Sequence, residues 1–97
     1  MNFTAFQLSL DHDAPAPDVS PTLLAMWYQA KGDWDAAHHL AQSQKGSSGS
    51  WVHAYLHRVE GDKGNAAHWY RIAGKPLCTS KLDDEWKEIV TALILGE

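Results

Sequence analysis

From residue 20 onward the apolar positions recur at three- and four-residue spacing, in five clusters set apart by glycine, proline and serine. That period belongs to helices with one face turned inward. Apolar side chains run from Pro21 until Gly32. Ser20-Pro21 places an N-cap and a first-turn proline ahead of them, which predicts a helix over 21–31. Trp34, Ala37, Leu40 and Ala41 share a face of a second helix over 34–44, capped by Asp33. Val52, Tyr55, Leu56 and Val59 stand at i, i+3, i+4 and i+7 and predict a third helix over 51–60. Before it, residues 45–50 read as a flexible turn whose last serine, Ser50, is the cap. Ala66, Trp69, Tyr70 and Ala73 mark a fourth helix over 63–73, ended by Gly74 and Pro76. Leu82, Trp86, Ile89, Val90, Leu93 and Ile94 make the last helix the most strongly amphipathic, and Ser80-x-x-Asp83 has the form of a capping box.

The first 19 residues read differently. Phe6, Leu8 and Leu10 follow Phe3 at period two, predicting a short extended segment that packs on the domain or pairs with a second copy. Asp11 to Asp18 carries two prolines, each removing a donor and restricting the residue before it, so a polyproline-like spacer is expected. The chain thus divides into a mobile arm over 1–19 and one all-α domain over 20–97.

Within that domain the pattern repeats. Gly32-Asp33 and Gly61-Asp62 are 29 residues apart, as are Ala37 and Ala66. Leu24, Ala25, Tyr28, Gly32, Trp34 and Ala37 follow the spacing of a tetratricopeptide repeat, and this hairpin resembles that family. Ala54, Gly61, Ala66, Tyr70 and Ala73 fit the same pattern in the second hairpin, whereas His53 and His57 stand where the family has Leu and Tyr. The 29-residue period is also shorter than the family's 34. The resemblance covers roughly residues 21–76 and implies two stacked antiparallel helical hairpins, closed by the fifth helix. It further implies a groove, lined by the first helix of each pair, that takes a peptide or protein terminus. Here that groove draws on Thr22, Met26, Gln29, Ala54 and Arg58.

Composition narrows the choices. At 97 residues the chain allows one domain that buries about two-thirds of its extended surface, so five tryptophans weigh heavily in its core. Eight basic residues against 12 acidic ones, with no basic cluster, argue against nucleic acid as a partner. The single Cys78 excludes an intrachain disulfide and every multi-cysteine zinc site. No apolar run approaches the roughly 18 residues of a membrane span, and no signal-peptide pattern opens the chain. The cytosol is the expected compartment.

Two constellations carry candidate chemistry. His53 and His57 stand at i, i+4 with Glu60 three residues on, a pattern suited to a divalent metal such as zinc once His68 or His39 joins from elsewhere. The commoner arrangement is a pair of half-buried imidazoles packed on a neighbouring helix, and it ranks first. Adjacent His38 and His39 point about 100° apart and read as flank residues. His68, Arg71 and Lys75 lie along the end of the fourth helix, where they either hold a carboxylate or phosphate or complement the helix dipole. No nucleophile, glycine-rich phosphate loop or paired carboxylate accompanies them. The leading expectation is a non-catalytic module, without cofactor, that binds a peptide, a partner helix or a second copy of itself. The alternative is a small metal- or anion-binding protein built on His53, His57, Glu60 and His68.

Overall fold

The turns at Gly32 and Gly61 close in the same way. Gly32 N–H donates to Gln29 O and Asp33 N–H to Tyr28 O; 29 residues later Gly61 N–H donates to Arg58 O and Asp62 N–H to His57 O, all four at 2.9–3.1 Å. Both glycines sit at positive φ, +88° and +86°, a region that disfavours a Cβ. Each following aspartate caps the next helix, Asp33 accepting from Ala36 N–H and Asp62 from Asn65 N–H, both at 3.1 Å. The internal repeat is therefore a repeat of backbone geometry.

The computed structural model describes residues 1–15 and 18–96 and contains, among them, six α-helices and no strand. They are α1 (Phe3–Leu8), α2 (Pro21–Ala30), α3 (Trp34–Ser43), α4 (Ser47–Val59), α5 (Lys63–Ala73) and α6 (Leu82–Ile94), with a 3₁₀ turn at Ser9–Asp11. No helix is long and apolar enough to cross a membrane. Of the spacer expected over 11–18, Ala16 and Pro17 lie outside the described residues. α2 packs on α3, α4 on α5, and α3 and α2 on α4. Alanines 25, 37, 41, 54, 66 and 73 are buried at these crossings, where a small side chain lets helix backbones approach.

Four expectations need correction. First, the amino-terminal segment is helical. Phe3, Phe6 and Leu10 stand at i, i+3 and i+7, a helical stripe that the overlapping period-two reading hid. Asn2 caps α1 through Ala5 N–H, Phe6 is fully buried, and both phenyl rings lie 5.9 Å from the Trp86 ring on α6. Lys31 Nζ donates to Leu10 O and His12 O. The arm is thus folded onto the domain, and the Cα radius of gyration is 12.2 Å, against about 12.5 Å for a compact chain of this length.

Second, the turn expected over 45–50 is shorter, because α4 begins at Ser47 with Gly46 as its N-cap at φ +106°. Gly49 and Ser50 are buried inside the helix. A Cβ on Gly49 would stand 2.5 Å from Gln44 O, so the glycine that reads as flexibility serves a close approach of helix to turn. Third, the capping box does not form: Lys81 is the N-cap of α6 with no side-chain bond, and Ser80 Oγ lies 3.0 Å from Cys78 Sγ instead.

Fourth, α6 lies across α2 and α4. Trp86 Nε1–H donates to Met26 O at 3.0 Å and Tyr55 O–H to Leu82 O at 3.3 Å. Glu85, 1 % exposed, accepts from Arg58 Nη1–H at 2.8 Å and from Tyr70 O–H at 2.5 Å. Arg58 also donates to Ser80 O. The groove drawn from the sequence is consequently filled by the chain's own last helix, with Met26 and Ala54 wholly buried. Thr22 and Gln29 remain half-buried, and Arg58 is committed to Glu85.

Candidate metal centre

α3 and α4 run antiparallel across a three-residue turn, so residues pair in descending order: 34 with 57, 38 with 53, and 41–42 with 49–50. This register brings His38 onto the flank of α4 that carries His53 and His57. His38 Nε2 and His53 Nε2 are 3.0 Å apart. The rings of His53 and His57 stack at 4.8 Å, and the His38 ring stands edge-on to both, at 4.6 and 5.3 Å. One nitrogen from each of the three lies within 4.8 Å of the others. A tetrahedral zinc site places ligand nitrogens about 3.3 Å apart, so the three imidazoles would draw closer around a single ion.

Two tryptophans hold the rings. Trp34 stacks on His38 at 4.7 Å and meets His57 edge-on at 6.0 Å, its indole N–H fixed on Leu56 O at 2.7 Å. Trp69 of α5 stacks on His53 at 3.9 Å. Glu60 Oε1 lies 2.5 Å from His57 Nδ1. With that nitrogen engaged, Nε2 of His57 is the one left to bind a metal, the orienting role a carboxylate plays behind a ligating histidine. Donor atoms of His57, Glu60 and Asp62 also fall within 4.8 Å of one another at the exposed edge, although Asp62 is engaged as the cap of α5.

Electrostatics favour the uncharged form at His53 and His38. Burial, and then the neighbouring His38, His57 and His68, push His53 down to about 4. Burial and the His57 charge likewise lower His38, more than Glu60 and Asp35 raise it. A neutral imidazole keeps the lone pair that a metal needs.

Of the predicted set, His53, His57 and Glu60 are brought together. His68 is not among the clustered donors; it is exposed, its ring edge-on to Trp69 at 5.4 Å. Its place is taken by His38, which had read as a flank residue beside the exposed His39. The signal was present: Trp34, His38 and Ala41 stand at i, i+4 and i+7, one stripe along α3. Of the predicted anion set, His68 and Arg71 are exposed on α5 and Lys75 Nζ lies 4.1 Å from the centre of the Trp51 ring.

Comparisons with protein-family models, with curated proteins and with solved structures return no match.

Proposed function

We propose that this protein binds a divalent transition metal, zinc being the best fit, through His38, His53 and His57, with Glu60 orienting His57. The observation that carries the reading is the convergence of three imidazoles from two helices, two of them lowered in basicity, with nitrogens within 4.8 Å. Three nitrogen donors with room for a fourth ligand suit zinc, copper or nickel better than calcium or magnesium, which take oxygen. The metal would join α3 of the first helix pair to α4 of the second. The test is zinc content and calorimetric affinity of the untagged protein and three variants. His38→Ala and His57→Ala lose the bound metal while circular dichroism stays helical, and His68→Ala keeps it. Unchanged zinc binding in His38→Ala would sink the reading.

A second reading, a tetratricopeptide-like scaffold in the cytosol, has its support in the duplicated Gly-Asp turns. With the concave face filled by α6, a peptide, partner helix or second copy would dock elsewhere, and the exposed side chains of Ile72, Leu77 and Leu95 supply apolar anchors. Light scattering on the same zinc-loaded and zinc-free samples tests self-association.

A further inference from the structure

One face of α5 lines a cavity that shares no residue with the histidine centre. Lys63, Ala66, Ala67 and Tyr70 stand at i, i+3, i+4 and i+7 and form that face. Opposite them is the irregular segment between Gly74, the C-cap of α5, and Lys81, the N-cap of α6. Arg58, from the last turn of α4, donates to Ser80 O and ties the segment down. With Leu77, Cys78 and Thr79 of the segment, Arg58 and the α5 face line a cavity of about 400 Å³, within the range of small-molecule sites.

We propose that this cavity binds a small carboxylate with an apolar body, of the kind a medium-chain fatty acid presents. Two of its lining residues, Arg58 and Lys63, are cations, and none of the described lining residues is acidic. Arg58 gives one N–H to Glu85 and one to Ser80 O, which leaves three of the five donors of a guanidinium. Lys63 is exposed and belongs to neither ion pair found among the described residues. The acids nearest these cations are engaged elsewhere as well, Glu85 by the Tyr70 hydroxyl and Asp62 by Asn65. With its hydroxyl on Glu85, Tyr70 offers the cavity its ring, beside Ala66 and Ala67. Leu77, 63 % exposed, is an apolar side chain that an alkyl body would take out of water. A cationic ligand would meet two like charges here, and an inorganic anion would leave the apolar wall wet.

Cys78 reports occupancy, because it lines the cavity and is the chain's single cysteine. Sodium octanoate, the probe, should slow alkylation of Cys78 by iodoacetamide saturably, by about tenfold at ten times its half-saturating concentration. Calorimetry on the same samples measures the affinity independently of the thiol. Octan-1-ol, matched in length but uncharged, should bind about fivefold more weakly. Lys63→Glu weakens octanoate by roughly fivefold and leaves octanol unchanged. Ala67→Leu, from a half-buried helical position, fills the cavity and abolishes the binding of both. Circular dichroism checks that each variant stays helical, and Lys63→Glu, at an exposed position, carries the test by itself if Ala67→Leu does not fold. The proposal is overturned by octanoate that gives neither protection nor heat, by octanol that binds as tightly as octanoate, or by octanoate affinity unchanged in Lys63→Glu.

Discussion

Lowering the pH from 7.5 to 5 should destabilise the metal-free protein in a way that His53 governs. In the unfolded chain a histidine protonates near 6.5, whereas in the folded protein His53 is held down to about 4. Between those values the unfolded state binds more protons than the native state, so stability is complete above 6.5, falls as the pH drops, and levels off below about 4. At pH 5 the interval from 6.5 corresponds to about 2 kcal/mol as an upper bound, at 1.36 kcal/mol per pH decade. Water reaches the cluster past the partly exposed His38, and halving for that access gives about 1 kcal/mol, or roughly 4–8 °C in Tm for a domain of this size. The assay is urea unfolding at pH 7.5, 6.5, 5.5 and 5.0, for the parent and for His53→Gln. Carboxylates titrate in both proteins, so the difference between the two pH slopes isolates the imidazole. A parent curve that runs parallel to that of His53→Gln would refute the claim that burial keeps this ring neutral. Saturating zinc adds a second check, since bound metal should raise stability at pH 7.5 by more than at pH 5, where protons compete for the same nitrogens.

Glu85→Gln should cost about 2–3 kcal/mol, because it removes the charge that Arg58 and the buried Tyr70 hydroxyl both use; the cost stays below that of a fully desolvated pair since Arg58 keeps some access to water. A urea-derived loss under about 0.5 kcal/mol would show that α6 is not anchored there. Gly49→Ala should destabilise by about 1–3 kcal/mol against its helix-propensity gain, because the new methyl meets Gln44 O at 2.5 Å. Gly64→Ala, on the exposed first turn of α5 with no atom nearer than 3.9 Å, should stabilise by about 0.5–1 kcal/mol. Thermal midpoints that move in the same direction for both glycines would contradict the close-approach argument.

The expected helices over 21–31, 34–44 and 63–73 coincide with α2, α3 and α5 to within a residue at each end. Their caps at Ser20, Asp33, Asp62 and Gly74 involve residues no more than four apart. The errors arose where one residue supports two local readings. Phe6 belongs equally to an alternating run and to a helical stripe, and only Trp86, 80 residues away, selects the helix. Gly49 reads as loop chemistry until the Gln44 carbonyl above it is seen to need its hydrogen. His57 and Glu60 were legible as a pair because three residues of helix join them.

What the sequence by itself determined is therefore the helical period, the two Gly-Asp turns and the i, i+4 placement of His53 and His57, since each depends on relations within about one helical turn. What only the tertiary structure decided is which surfaces meet. His38 reaches His53 across 15 residues because the antiparallel register of α3 and α4 aligns them. Trp86 reaches Met26 across 60 because α6 turns back over α2 and α4 and closes the face that the repeat pattern leaves open. Helix crossings are chosen by how whole faces bury apolar area and exclude gaps, a property of pairs of elements that no single stretch of chain contains.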